Sequence, residues 1–308
     1  MAQIVIEQKE YYDILNENNV RATYNYQELM NNFGLAGTNF KYNGGRVIIL
    51  TGVKAGKDTP VDKQNLTKGG TQKWSMKEAT RTIEREREMC DFSDEIYART
   101  AKIDGYKIMA AYERDERSQT VNRGITADLF KEASEHESGK GVINSSADLT
   151  PDEAWAKFYD MKDTVEAETS YRSDLIFYCT PTFLRKLVDG DINKRVVMNG
   201  SDVIKRQIAE IDGVAIRTVG AQDFLTTYDE SGEGLVPTED SKQIMAMMVA
   251  KKSVAVPFII DSVYIDEPSA GSRGKWEIAN RFAFQAFMNP FFGLGVVALV
   301  DNASEVNP

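Results

Sequence analysis

Residues 94–137 read DEIYARTAKIDGYKIMAAYERDERSQTVNRGITADLFKEASEHE and carry a long helical pattern. Apolar residues recur mostly at three- and four-residue steps, as at Ile125, Leu129 and Ala133, which is typical of a helix with one buried face. Charges of both signs alternate on the other face, where they can pair along an exposed helix. Gly105 and Gly124 interrupt the pattern. It therefore predicts one long helix with a break or kink at residues 118–124, rigid enough to support the segments on either side.

A second helix begins directly downstream of this region. Thr150 is a good N-cap, Pro151 suits the first helical position, and Glu153 can bond back to the cap, so the three form a capping box. The predicted buried face consists of Trp155, Phe158, Tyr159, Lys162 and Val165.

Residues 174–219 predict a compact α+β unit. DLIFYC is typical of a buried strand, and a short helix then begins at Pro181 and ends at Gly190. Asp212 and Gly213 stand between two apolar segments and predict a two-residue β-hairpin turn. Residues 229–240 are predicted to be an acidic loop. The apolar segment at 244–250 fits a strand or a buried helix equally well.

The last part of the chain alternates between apolar and polar residues. This alternation at 276–288 predicts a half-buried strand, and FFGLGVVAL at 291–299 predicts a final strand after the turn at Asn289 and Pro290. Strands this late need partners from much earlier in the chain. One body should therefore contain both early and late sequence.

The first part of the chain is less regular. Residues 1–40 have short apolar patches between Asn-rich connections and predict an arm that lies across another surface. RVIIL at 46–50 is a strand candidate, and TGVKAGKDTPVDKQNLTKGGTQKW follows at 51–74. That segment has too few large apolar residues to form its own core, so we expect an extended hairpin, which is marginal in water without a neighbouring surface.

Charge is divided unevenly along the chain. The whole chain carries a net charge of −10, whereas residues 41–80 contain eight basic and three acidic residues. This basic segment is complementary to the acidic remainder of another copy, which favours subunit contacts through Lys54, Lys57, Lys63 and Lys68. Nucleic-acid binding by this hairpin and a plain flexible loop remain as alternatives. The acidic chain as a whole is atypical of proteins that bind nucleic acid phosphates.

No catalytic or cofactor motif stands out. His136 is the single histidine, so a catalytic triad or a two-histidine metal site lacks its other members, and we expect a solvated residue at a helix end. GVKAGKD at 52–58 has the wrong spacing for a phosphate-binding loop. Cys90 and Cys179 are too few for a disulfide framework, and both are expected to be reduced thiols. We expect no cofactor, no metal, no membrane span and no export signal.

The order of these parts resembles the major capsid proteins of tailed bacteriophages, whose fold is named after phage Hong Kong 97. The likeness rests on the Gly/Lys-rich hairpin between RVIIL and KW, the charged segment TIEREREMCDFSDE, the long helix and the LTPDEAW helix. It continues through DLIFYCTPTFLRKL, QIAEIDGVAIRTV and WEIANRFAFQAFMNPFFGLGVVAL. It covers nearly the whole chain and is a likeness of order and spacing.

The resemblance implies an α+β fold with five parts. These are an N-terminal arm at 1–40, an extended loop at 41–80, a peripheral domain with a spine helix at 81–173, an axial domain at 174–254 and a return to the peripheral domain at 255–308. Residues 269–274 would lie near the local threefold axis. Arg273 in this loop, and Arg114 and Asp115 in the long helix, join the four lysines as candidate subunit-contact residues.

The function implied is that of a non-enzymatic shell subunit of the virion, assembled in the cytoplasm of a host bacterium. Its partners would be further copies in pentamers and hexamers, a scaffolding protein and a portal, around double-stranded DNA that is enclosed without sequence-specific binding. Two alternatives remain: an encapsulin-like compartment shell of the same fold, and an acidic α/β enzyme with a pocket of convergent polar groups.

Overall fold

The computed structural model describes residues 24–30, 40–42, 47–54, 75–92, 105–169, 174–195, 210–231, 234–266 and 277–302. Its helices are α1 (Gln27–Met30), α2 (Gly105–Ser134), α3 (Pro151–Thr169) and α4 (Pro181–Arg195). Short 3₁₀ turns occur at Ala221–Asp223 and Lys251–Ser253. No helix in these ranges is long and apolar enough to cross a membrane.

The strands of the first half are β1 (Phe40–Tyr42), β2 (Val47–Lys54), β3 (Ser75–Thr82), β4 (Glu86–Phe92), β5 (Val142–Ser145), β6 (Leu175–Cys179), β7 (Glu210–Ile211) and β8 (Val214–Thr218). Those of the second half are β9 (Tyr228–Ser231), β10 (Gly234–Pro237), β11 (Ile244–Ala250), β12 (Val254–Ala255), β13 (Phe258–Asp266), β14 (Glu277–Phe284), β15 (Phe287–Met288) and β16 (Val296–Asp301). The mixed content agrees with the predicted α+β class, and the 244–250 segment is a strand.

Helix α2 is continuous over 30 residues, so the predicted break at residues 118–124 is wrong. Ile125, Leu129 and Ala133 are buried, as the periodicity indicated. Gly124 does not bend the helix; a Cβ there would stand 2.5 Å from Cε2 of Phe284, so the glycine makes room for that ring. The helix is predicted from residue 94 onwards, and residues 94–104 lie outside the described ranges.

The predicted capping box is present at the start of α3. The Thr150 N–H donates to Glu153 Oε2 at 2.8 Å, and the Glu153 N–H donates to Thr150 Oγ1 at 3.3 Å. Phe158 and Val165 are fully buried, whereas Trp155 and Tyr159 are partly buried. The helix therefore begins where the prediction put it, because two of its otherwise unpaired N-terminal groups are satisfied locally.

Helix α4 continues past Gly190 to Arg195, so the predicted end at Gly190 is wrong. A Cβ at Gly190 would lie 2.6 Å from Nε1 of Trp155 on α3. The same indole donates to the carbonyl of Leu187 at 2.9 Å, so α3 and α4 approach closely at this point. This glycine is explained by helix packing, as Gly124 is.

A six-stranded mixed sheet forms the centre of the fold, with strand order β5-β16-β11-β6-β8-β7. Every residue of β6, β11 and β16 is buried. Because successive side chains of a strand point to opposite faces, both faces of the sheet are covered. The predicted hairpin joins β7 to β8 through Asp212 and Gly213, which both have positive φ, as a two-residue hairpin turn requires.

Two smaller sheets have three strands each. One has the order β1-β2-β3 and the other β13-β14-β4. In the second, β14 from the end of the chain pairs along its length with β4 from the first third. Strand β16 also pairs in parallel with the much earlier β5. The expectation that early and late sequence share one body is confirmed.

The predicted acidic loop at 229–240 is instead largely a β-hairpin. Strands β9 and β10 pair from Tyr228 opposite Pro237 to Ser231 opposite Gly234. Alternation does not mark this hairpin, because Leu235 is the one buried apolar side chain in the described residues of the two strands. Contacts with helix α2 hold this hairpin in place.

Candidate subunit interface and its anchor

The β2–β3 hairpin is the element that the sequence predicts to contact another copy. Its pairing runs from Val47 opposite Thr82 to Lys54 opposite Ser75. Residues 55–74 connect the two strands and lie outside the described ranges. The two flanking strands therefore pair as an extended hairpin requires.

The candidate contact residues fall in three places. Lys54 is the last residue of β2, at the far end of the hairpin pairing. Lys57, Lys63, Lys68 and Arg273 lie outside the described residues. Arg114 and Asp115 lie on α2, and their side chains lie outside the described part of the chain. The described backbone thus places Lys54 on the hairpin and Arg114 and Asp115 on the long helix.

An apolar cluster holds the base of the hairpin. Ile48 and Leu50 of β2 pack with Ile83, which follows β3, and with Ala255, Ala283 and Phe287 from the last third of the chain. These side chains are at most 4% exposed, so the base of the hairpin is part of the body. Periodicity did not reveal this cluster because its members come from four separate segments.

Arg85 adds a polar anchor three residues beyond the end of β3. One guanidinium nitrogen donates to Asp128 Oδ1 of α2 at 2.8 Å, and the other donates to Glu230 Oε1 of β9 at 2.6 Å. The backbone carbonyl of Arg85 accepts from the N–H of Phe284 at 3.1 Å. A single residue therefore joins the base of the hairpin, the long helix, β9 and β14.

Gly124, Asp128 and Phe284 form the surroundings of this side chain, which we call the Arg85 socket. The guanidinium carbon lies 5.8 Å from the centre of the Phe284 ring, within cation–π range. A Cβ on Gly124 would approach both that ring and the Arg85 Cδ, at 2.5 and 3.2 Å. The missing side chain at Gly124 thus lets the ring and the arginine lie against the helix together.

Asp128 is nearly inaccessible to water, and its burial raises the pKa of this carboxyl group. The Arg85 guanidinium and the N–H of Ala286, which donates to Oδ2 at 3.1 Å, both oppose that rise. The carboxylate thus depends on Arg85 for its charge balance. Burial likewise raises the pKa of Glu132 one turn later, where Arg81 of β3 is the main opposing charge.

A short N-terminal segment packs on the same helix. The Tyr26 ring lies 4.8 Å from the Tyr178 ring, and its hydroxyl bonds to Thr126 of α2 at 2.6 Å. The Asn25 N–H donates to Asn122 Oδ1 at 3.0 Å, and Arg217 pairs with Glu28. The described part of the predicted arm, residues 24–30, therefore lies across the body of its own chain.

Arg123 attaches the β9–β10 hairpin to α2. Its Nε donates to Asp223 Oδ1 at 2.9 Å, and a terminal nitrogen donates to the carbonyl of Leu235 at 2.8 Å. With the Arg85–Glu230 pair, this gives the hairpin two polar attachments. Arg85 and Arg123 were missed in the sequence because nothing local marks their distant partners.

The described residues contain no group of three or more His, Cys, Asp or Glu side chains arranged to hold a metal ion. His136 lies in a turn just after α2, where the Ser138 hydroxyl is 2.9 Å from Nδ1 and the Ser138 N–H donates to it at 3.3 Å. Its position at a helix end is as expected, and these contacts are local ones that shape the turn.

No protein-family model matches the sequence, and no curated protein sequence matches it. Solved structures do match. The capsid of the cyanophage P-SCSP1u aligns with a TM-score of 0.61 and 12% identity, covering 86% of each chain. The capsid of Ralstonia phage GP4 gives 0.55 and 10%, again covering 86% of each chain. The capsid of an empty GTA particle gives 0.56 and 12%, covering 91% of this chain and 90% of that one.

The similarity extends over most of this chain and most of each capsid chain. The matched region is therefore most of the architecture and not a single shared motif. Identities of 10–12% leave the fold as the property held in common. The chain has the fold of phage capsid proteins.

Proposed function

We propose that this protein is the major capsid protein of a phage shell, a self-assembling structural subunit. The observation that carries the proposal is the match to the P-SCSP1u capsid over 86% of both chains. A hairpin with a fixed base and a basic connection fits this function, because it offers another copy a surface of opposite charge.

We assign the parts of the chain to those of the Hong Kong 97-type fold. Residues 1–40 are the N-terminal arm, 41–80 the extended loop, 81–173 the peripheral domain, 174–254 the axial domain and 255–308 the return to the peripheral domain. Helix α2 supports its assignment as the spine helix, since its 30 residues span about 45 Å. The pairing of β14 with β4 supports the return of the chain to the peripheral domain.

Subunit contacts are assigned to Lys54, Lys57, Lys63 and Lys68 on the extended loop, Arg114 and Asp115 on the spine helix, and Arg273 between β13 and β14. Residues 41–80 carry a net charge of +5 and the remainder of the chain −15, which supports attraction between the loop and another copy.

The proposed partners are further copies in pentamers and hexamers, a scaffolding protein and a portal. The shell would enclose double-stranded DNA inside the virion. An acidic body supports this function, because it contains DNA without adhering to the phosphates.

Sedimentation and electron microscopy of the purified chain test the proposal. We expect shells, capsomers or curved sheets, whereas a small closed oligomer would favour the acidic enzyme. The contents of particles recovered from an infected host then distinguish a phage capsid from an encapsulin-like compartment. A phage capsid contains double-stranded DNA, and an encapsulin-like compartment contains protein cargo.

A further inference from the structure

The connection between β3 and β4 has an unusual position in the fold. It consists of Ile83, Glu84 and Arg85 and passes from the β1-β2-β3 sheet to the β13-β14-β4 sheet. On the β3 side, the base of the hairpin is therefore joined to the body through three residues, beside the apolar contacts of Ile48 and Leu50 on β2.

Each of these residues has its own contact with the body. Ile83 is buried in the apolar cluster, and the backbone N–H of Glu84 donates to Gln285 Oε1 at 2.8 Å. Arg85 occupies its socket on α2. Apolar contacts tolerate small rotations because they have no directional bonds. The planar guanidinium, by contrast, has donors in fixed directions.

The two bonds of the guanidinium differ in their surroundings. The Asp128 side chain is 7% exposed, whereas that of Glu230 is 52% exposed. The bond to Asp128 is thus protected from water, and it attaches the hairpin base to the long helix. The bond to Glu230 orients the second half of the same planar group toward β9.

We propose that Arg85 is the positioning residue that fixes the direction in which the β2–β3 hairpin leaves the body, through its paired bonds to helix α2 and strand β9. This inference rests on the proposed function, because in a shell that direction determines where one copy meets the next. Arg85 then controls the angle between neighbouring copies, and with it the uniformity of shell size.

Arg85→Lys is the test variant, since it keeps the charge beside Asp128 and loses the planar pair of donors. Arg123→Lys is its matched control. Arg123 lies on α2, also forms two hydrogen bonds, and has 20% of its side chain exposed. Its partners are Asp223 and Leu235, which are not part of the base of the β2–β3 hairpin. Each variant thus replaces a mostly buried guanidinium that pairs with a carboxylate.

The direct measurement is the distance between spin labels on the unassembled chain. Glu78→Cys on β3 and Gln119→Cys on α2 place labels at two exposed positions, and Cys90→Ser removes an endogenous thiol. We expect Arg85→Lys to shift or broaden the distance distribution and to give shells of mixed diameter. We expect Arg123→Lys to leave the distance distribution and the shell diameter as in the unsubstituted chain. The two variants should lower the urea unfolding midpoint by similar amounts.

An unchanged distance distribution in folded Arg85→Lys would overturn the inference, as would equal changes in both variants. If Arg85→Lys fails to fold, the double variant Arg85→Met with Asp128→Asn removes both charges and is measured in its place, with the same expected broadening. If the unsubstituted chain forms no shells, the proposed function fails, while the label distances still decide the case for Arg85.

Discussion

The ring of Phe284 lies against Gly124, with its Cε2 atom 2.5 Å from the point where a Cβ on that residue would stand. The contact joins a late strand to the middle of the long helix at the place where Arg85 is bound. It explains why a residue with poor helix propensity occurs inside a continuous helix.

Gly124→Ala should destabilise the protein although alanine is the better helix former. The gain in propensity is about 1 kcal/mol. Overpacking against Phe284 and Arg85 costs about 1–3 kcal/mol, so the net effect is a loss. Urea unfolding followed by circular dichroism measures it. The double variant Gly124→Ala with Phe284→Leu is the control and should recover part of the loss; a more stable single variant would contradict the contact.

Arg85→Met should destabilise the fold by about 3–5 kcal/mol at neutral pH, because it leaves the buried Asp128 carboxylate without its partner. Adding Asp128→Asn should restore much of this. Equal losses in the single and double variants would show that charge balance is not the cause.

The loss of folding stability in Arg85→Met should also depend on pH. Burial already raises the pKa of Asp128, and removing Arg85 raises it further. The folded variant therefore binds a proton more readily than the unfolded chain, so its stability falls as pH rises through the folded pKa. We expect the smallest difference from the unsubstituted protein in acid and the largest near neutrality, as measured by urea unfolding across this range.

Thr150→Ala should weaken the start of helix α3 by about 1 kcal/mol through loss of the cap. Bonds from the Thr150 N–H and hydroxyl lower the pKa of Glu153, and the variant loses the hydroxyl bond. We expect the Glu153 pKa, measured by NMR titration, to rise towards its ordinary value. Thr150→Ser is the control and should keep the lowered pKa. The stabilisation by Glu153 exists above the ordinary carboxyl pKa and is lost as pH falls.

Tyr26→Phe should cost about 1 kcal/mol through loss of the Thr126 bond, whereas Tyr26→Ala should cost about 3–5 kcal/mol through loss of the buried ring. Hydrogen exchange at residues 24–30 should rise sharply in the alanine variant. Equal exchange in both variants would show that the ring does not hold this segment.

Replacing Lys54, Lys57, Lys63 and Lys68 by Glu should impair assembly while leaving the fold intact, because the charge complementarity between copies is reversed. Circular dichroism checks the fold, and electron microscopy checks assembly. Arg at the same four positions is the matched control and should assemble normally. Normal shells from the Glu variant would remove the electrostatic argument.

Local patterns predicted the elements whose causes are local. The capping box placed the start of α3, and Asp212 and Gly213 placed a hairpin. Alternation identified β14, although the strand predicted at 276–288 ends at Phe284 and Phe287–Met288 forms the separate strand β15. The two errors about glycine have the same origin. Gly124 and Gly190 have low helix propensity, yet each accommodates a distant ring, Phe284 or Trp155, that local sequence does not reveal. Arg85 was missed for the same reason, since its partners lie 43 and 145 positions away.

Strand β16 lies inside the central sheet, between β5 and β11, although it is the last strand of the described residues. During synthesis β5 and β11 have no neighbour at these edges until β16 emerges from the ribosome. Folding of the sheet is therefore completed only after translation has passed Asp301. A polypeptide terminated before Val296 lacks the strand between β5 and β11, so its central sheet is left in two pieces and we expect it not to reach the native fold.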